Sequence, residues 1–447
     1  MSQGASTGGL HSFLVVWFGQ TISSVGTYMS AFVVALWAFE QTGRATTLTL
    51  LIVAGTLAGM AVSLVGGALI DRLNRKLLII LGDTVAAAVT LAILVLLVRD
   101  GLTIWHLYLA QMVRAIFGDV QGLAFSASST LMVPKRHYGR VGSLSSLTHY
   151  GSVITGPALA GVLYVVVGLE GVLLVDFATY LVGIGAVVLA RIPQPLRDDS
   201  VPVGPVTMWN DLTMGFRYIL ARPPLRALVF AWLLFFLSHD FVNALQAPLV
   251  LARTDSDVAA RAGVSVAAGM GGILSAVAMS AWGGPKDRVR GMLIAFTGAG
   301  LSKMAFGLVR TPPLWFGAQF ASSLNFPPML SGYRAILMTK VTPGIQGRIF
   351  AAESVAAAAI EALAALVAGP LADYVFEPAM YSGGALAPLL GPLFGTGPGA
   401  GMAVLHTFVS LGMVAVGLGG FFIYQLRHAE ELLPDHDAAA IPPAGHA

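Results

Sequence analysis

Residues 47–70 read TLTLLIVAGTLAGMAVSLVGGALI, residues 71–76 read DRLNRK, and residues 77–98 read LLIILGDTVAAAVTLAILVLLV. Each apolar run is long enough to cross the ~30 Å hydrocarbon core of a bilayer as a helix. The six residues between them hold four charges, which mark a short turn outside the lipid. Working outward, the same pattern recurs roughly every thirty residues, and twelve such stretches lie between Phe13 and Leu426. They are Phe13–Phe39, Thr47–Ile70, Leu77–Val98, Ile104–Met132, Val141–Val167, Val172–Ala190, Ala227–Leu251, Val258–Trp282, Met292–Val309, Leu314–Thr339, Ile349–Val375 and Gly401–Leu426.

Composition agrees without reference to any segment. Of the 447 residues, 56% are hydrophobic and 11% charged, against about 25% charged in soluble domains. The first run is too long for a signal-peptide core and reads as a retained span. The chain has no cysteine, which excludes disulfides, thiolate metal sites and cysteine nucleophiles.

Charge placement orients the spans. With the N-terminus in the cytoplasm, 17 of the 25 Lys and Arg residues fall on the inner side, among them Arg72, Arg75, Lys76, Arg140, Arg217, Lys286, Arg288 and Arg348. Only Arg44, Arg99, Arg253, Arg261 and Arg310 fall outside. Under the positive-inside rule this places both termini in the cytoplasm of a multi-pass cell-membrane protein. The net charge of +3 is therefore topology and not a nucleic-acid patch.

The longest polar stretch, Arg191–Arg226, carries Pro193, Pro195, Pro202 and Pro205 and a short amphipathic segment around Met208–Leu220. It divides the chain into an N-terminal six-helix half (1–190), a cytoplasmic linker (191–226), a C-terminal six-helix half (227–426) and a cytoplasmic tail (427–447) expected to be disordered. The halves echo one another. Val133-Pro134 with Gly139-Arg140-Val141 is answered by Thr342-Pro343 with Gly347-Arg348-Ile349, and Asp71-Arg72 by Asp287-Arg288. The expected fold is all-α: twelve transmembrane helices in two six-helix pseudo-repeats around a central cavity, an architecture of transporters.

The turn Gly67-Ala68-Leu69-Ile70-Asp71-Arg72-Leu73-Asn74-Arg75-Lys76 resembles the signature loop of the major facilitator superfamily, with Asn74 where the commonest form has glycine. A turn this short needs a residue tolerant of left-handed geometry, and asparagine is the usual second choice. Gly67, Asp71, Arg72 and Arg75 then form a gating loop. The alternative is a stop-transfer loop whose charges only set topology. Arg114-Ala115-Ile116-Phe117-Gly118 in the fourth span resembles that superfamily's motif with an intramembrane arginine implicated in proton coupling. Gly151 and Gly156-Pro157-Ala158-Leu159-Ala160-Gly161 resemble the helix-bend motif of its exporting branch, where small residues admit close helix contact and proline removes a backbone donor.

Within the superfamily, the resemblance is to the drug and proton antiporter branch that includes macrolide-efflux-type proteins and the enterobactin exporter. Gly19-Gln20, Gln41-Thr42-Gly43, Arg191-Ile192-Pro193, Leu371-Ala372-Asp373, Phe376-Glu377-Pro378 and the spaced Gly395, Gly397, Gly399 and Gly401 carry it. The resemblance implies export of amphipathic small molecules, of a drug or antibiotic class, in exchange for protons. It implies no enzymatic activity, no cofactor, no metal and no nucleic acid; the expected partners are substrate, protons and membrane lipid, and a monomer is expected.

An ionisable side chain inside a span is a functional candidate by default, and Arg114, Asp119, Asp240, Glu353 and Glu361 are the proton-coupling candidates. Glu353 and Glu361, eight apart, lie about 80° apart on a helical wheel and share a broad face. The aromatics of the first and seventh spans supply the cavity candidates Trp17, Tyr28, Phe32, Trp232 and Phe236, with His239 beside them. For these rings the alternative is ordinary packing. Export or flipping of an endogenous siderophore or lipid is the rival transport reading, and a receptor or scramblase the rival outside it. No nucleotide-binding module or catalytic motif is present in the sequence.

Overall fold

A computed structural model describes residues 7–134, 138–193 and 205–435; side chains are described except at 7–9, 63–72, 130, 138–140, 142, 143, 146, 205–212 and 343. Seventeen α-helices and no strand appear among the described residues. They are α1 (Thr7–Thr42), α2 (Ala45–Arg72), α3 (Arg75–Val98), α4 (Ile104–Met132), α5 (Tyr138–Leu189), α6 (Pro205–Leu220), α7 (Pro223–Arg253), α8 (Val258–Trp282) and α9 (Arg288–Leu308). There follow α10 (Pro312–Ser323), α11 (Phe326–Lys340), α12 (Pro343–Leu371), α13 (Glu377–Met380), α14 (Ala387–Phe394), α15 (Ala400–Gly420), α16 (Tyr424–Arg427) and α17 (Ala429–Leu432). Nine helices among the described residues are long and apolar enough to cross a membrane.

Helix ends follow backbone chemistry. The expected fifth and sixth spans meet inside α5 at Gly168, whose φ of 66° and ψ of −172° break the helix where a side chain would be strained. The expected tenth span is likewise divided, into α10 and α11. Pro327 and Pro328 lie in the first turn of α11, where a proline ring excludes the carbonyl four residues earlier from the helical bond. The carbonyl of Leu324, four before Pro328, instead accepts from Ser275 Oγ at 2.6 Å. A π-helical turn, Ala372–Phe376, joins α12 to α13.

Asn74 corrects a sequence expectation. It has φ −69° and ψ 111°, extended and not left-handed, and its Oδ1 accepts from the backbone N–H of Lys76 (3.0 Å) and Leu77 (3.3 Å). Asparagine serves here as the N-cap of α3. The first residues of the expected disordered tail also differ from expectation. Ala429–Leu432 is helical, Ala429 and Leu433 are buried in a core with Val289 and Leu337, and Glu430 Oε2 accepts from the free N–H groups of Arg288 (3.0 Å) and Val289 (3.4 Å) at the start of α9.

The chain divides into two compact units, Met1–Gly204 with Val250–Gly269, and Pro205–Leu249 with Met270–Ala447. The second segment of the first unit comprises the end of α7 and the beginning of α8, so the division does not follow the linker alone. Lipid tails are as apolar as leucine, so close van der Waals packing must hold these helices together. In the first unit a Cβ on Gly156 of α5 would lie 3.2 Å from the backbone nitrogen of Met29 in α1, and one on Gly161 would lie 3.1 Å from the Ala262 methyl in α8. In the second unit Trp232 stacks on Tyr333 (4.0 Å between centroids) and Phe235 on Phe296 (4.1 Å).

Candidate functional site in the first unit

Four helices converge on Arg114. Its Nη1 donates to Ser30 Oγ of α1 (3.4 Å), and its Nη2 to Thr90 Oγ1 of α3 and to Asp176 Oδ2 of α5 (3.2 Å). The Arg114 side chain is 12% exposed and that of Asp176 fully buried. A guanidinium cannot discharge in a low-dielectric interior, so the carboxylate that neutralises it decides whether it is tolerated. Gly26 of α1 makes room for that carboxylate, since a Cβ there would sit 2.8 Å from Asp176 Oδ1.

A second polar group lies nearby. Asp83 of α3 accepts from Gln20 Nε2 (2.7 Å, Oδ2) and from Gln121 Nε2 (2.6 Å, Oδ1), and Gln121 Nε2 also donates to Gln20 Oε1 (2.7 Å). Both groups open on one cavity of about 360 Å³ within this unit. Its wall takes Trp17, Gln20, Ser23, Ser24 and Thr27 from α1, Asp83 and Ala86 from α3, Arg114, Gly118, Gln121, Gly122 and Phe125 from α4, and Ser145, Thr148 and Tyr180 from α5. Aromatic rings, hydroxyls and a few charges in a space of this size are the makings of a small-molecule site.

Among the residues expected from sequence, Arg114 and Trp17 are brought to this cavity, and Trp17 Nε1 is fixed by the Leu144 carbonyl at 3.1 Å. Tyr28 meets His149 edge to face, and Phe32 is buried with the Arg261 guanidinium 5.7 Å from its centroid. Asp119 is exposed, with its carboxylate over the bare Cα of Gly59 in α2. Gly156 and buried Pro157 lie in the packed part of α5, whereas a Cβ on Gly151 would meet open space.

The other expected residues belong to the second unit. Asp240 pairs with His239 Nδ1 (3.0 Å), and that imidazole packs among Phe235, Phe236 and Phe326. Glu353 is 4% exposed and pairs with Arg334 at 3.1 Å, whereas Glu361 is exposed, so the two do not share one environment despite the shared face of the wheel. Trp232 and Phe236 pack in and against the core. Of the loop residues, Arg75 is buried with Nη1 donating to the Ala127 carbonyl at 2.9 Å near the end of α4, while Gly67, Asp71 and Arg72 lie outside the described side chains.

Asp83 and the pairing of Asp176 escaped the sequence reading. Each is a lone acid in an otherwise apolar span, and that is a usable signal for Asp83. Buried Lys303, donating to Gln246 Oε1 (2.5 Å) and Gln319 Oε1 (2.9 Å), and Glu377, which accepts from Gly399 N (3.1 Å) and Met402 N (2.8 Å) at the start of α15, are further polar anchors of the second unit.

The sequence pattern of the Major Facilitator Superfamily matches residues 16–356. The chain belongs to this superfamily. It is a membrane transporter and not an enzyme. Among relatives, macrolide efflux protein A of Streptococcus pyogenes is 23% identical over 343 residues, covering 76% of this chain and 84% of its own. The multidrug efflux pump Tap of Mycolicibacterium fortuitum is 22% identical over 370 residues, covering 80% of this chain and 89% of its own. A solved bacterial homologue of the human lysosomal transporter Spinster, inward-facing and unoccupied, superposes with a TM-score of 0.66 at 15% identity, over 97% of this chain and 98% of its own. That superposition speaks to the fold.

Proposed function

We propose that this facilitator exports amphipathic small molecules of a drug or antibiotic class in exchange for protons, by alternating access between two six-span halves with both termini in the cytoplasm. The observation that carries the reading is the Arg114–Asp176 pair, whose guanidinium lines the cavity while its carboxylate is buried behind it, in a chain whose relatives include named efflux proteins. Antiport requires that a proton and the substrate oppose each other's binding. A proton on Asp176 removes the counter-charge of Arg114, and the guanidinium, which cannot lose its own proton, must then find water or an acceptor on the substrate. Helices α1, α3, α4 and α5 all contribute to that cluster, so its protonation state bears on how they pack. Inverted membrane vesicles test this reading: an imposed gradient, acid inside, is expected to drive accumulation of a fluorescent amphipathic dye, and an uncoupler to abolish it. Dye movement indifferent to the gradient overturns antiport.

A further inference from the structure

The second unit holds an unfilled space that the mechanism does not use. Helices α7 and α15 touch at Ser238 and Gly412, where a Cβ on the glycine would sit 2.6 Å from the serine Oγ. They part toward the start of α7, and a Cβ on Gly419 would meet nothing within 4 Å. The groove between them measures about 770 Å³, is lined by the short side chains of Ala227, Ala231 and Ala415, and reaches Leu220 at the end of α6. Helix α7 turns Leu228, Trp232 and Phe235 into the core and presents Arg226, Phe230 and Leu234, spaced four apart on the opposite flank, to the groove. Phe230 is still 66% exposed and Leu234 40%, so the groove opens sideways. From Arg226 to Ser238 the helix rises about 18 Å, close to the ~15 Å hydrocarbon depth of a single leaflet. A gap of that length forfeits the dispersion contacts of its walls unless something apolar fills it. At the mouth the chemistry changes. Arg226 is the one ionisable side chain lining the groove, and its guanidinium makes no hydrogen bond or ion pair among the described residues. Arg222 lies one turn before it, its guanidinium 3.5 Å from the Tyr218 ring centroid. Exposed Tyr424 follows the end of α15, and tyrosine collects at headgroup depth.

We propose that this groove is the binding site of one anionic phospholipid, with its phosphodiester on Arg226 and an acyl chain laid between α7 and α15 as far as Ser238. The leaflet is the one that meets the start of α7, the cytoplasmic one in the charge-based orientation. Charge decides among the possible occupants. A cationic amphiphile would be repelled by Arg226. A two-fold contact between the grooves of two copies would bury both guanidinium groups with no acid from either lining to neutralise them. The lipid supplies the missing counter-charge and the missing apolar volume together. The site is separate from the cavity beside Arg114 and does not depend on proton exchange.

The test uses the full chain, stripped of lipid in detergent and titrated with phosphatidylglycerol or phosphatidylcholine of identical acyl chains, with binding read by native mass spectrometry. Wild-type protein is expected to take up one phosphatidylglycerol about fivefold more tightly than phosphatidylcholine, the worth of one basic side chain beside an anionic headgroup. Arg226→Gln should erase that preference and leave phosphatidylcholine binding unchanged. Gly419→Leu places a side chain in the open part of the groove and should weaken both lipids alike. A phosphatidylglycerol with a diazirine on its acyl chain is expected to label residues 230–238 and 412–420 in wild type, and to lose that labelling in Gly419→Leu. If a variant does not fold, the wild-type labelling map decides. A headgroup preference that survives Arg226→Gln, labelling spread evenly over other helices, displacement of the lipid by glycerophosphoglycerol alone, or a dimer whose groove resists labelling overturns the proposal. None of these readouts involves transport, so their failure leaves the exporter reading standing.

Discussion

At the scale of the residue, the Arg114–Asp176 pair makes a demanding prediction. Asp176 is wholly buried, so Asp176→Asn leaves the guanidinium uncompensated, a loss of about 3–5 kcal/mol when one member of a buried pair is removed. Neutralising both, Arg114→Gln with Asp176→Asn, removes the orphaned charge and is expected to recover most of the thermal stability. Gradient-driven efflux should stay lost in both variants, since neither holds the ion pair that a proton can dissolve. Melting in detergent and vesicle transport measured side by side separate the effects; an efflux-competent double variant refutes coupling through this pair. Glu377 allows a simpler expectation. Its carboxylate caps two backbone N–H groups at the start of α15, so Glu377→Ala should lower stability by about 0.5–2 kcal/mol, seen as a reduced melting temperature.

At the scale of the element, Gly151 of the expected helix-bend motif is not equivalent to Gly156. A Cβ on Gly156 would press on the backbone of α1 at Met29, while one on Gly151 would meet nothing within 4 Å. Gly156→Ala is therefore expected to destabilise by about 1–3 kcal/mol through overpacking. Gly151→Ala should be neutral or stabilising by up to about 1 kcal/mol from helix propensity. Equal melting temperatures for the two variants would show that the α1–α5 approach is not as tight as described. Gly399 illustrates the other use of glycine. Its φ of 77° is left-handed and places the Glu377 carboxylate at the free N–H groups of α15, a role that the spacing Gly395, Gly397, Gly399 and Gly401 did not disclose.

At the scale of the whole molecule, orientation is the open physical question with a direct answer. The chain has no cysteine, so single introduced cysteines report sidedness without background. Arg44→Cys, between α1 and α2, is expected to react with a membrane-impermeant maleimide in intact cells. Glu431→Cys, on α17, should react only in inverted vesicles. Both positions are exposed, so failure to label reflects the side of the membrane, and the reverse pattern would overturn the charge-based orientation.

What the sequence determined by itself were properties that neighbouring residues confer on one another. Apolar length, charge at the turns and the absence of cysteine are local, and from them follow a helical membrane protein and, through Arg114 and the loop motifs, membership of the major facilitator superfamily. The partner of Arg114 is sixty-two positions away in the chain, on a helix whose rotation is set by glycine contacts with α1 that periodicity in an all-apolar segment does not reveal. For the same reason Glu353 and Glu361 share a helical face on paper and differ in burial, and Asp83 disappeared into a run that otherwise reads as lipid-facing. Which acids are paired, which are exposed and which one stands buried against neutral amides depends on how several helices pack around one space, and only the tertiary structure decided that.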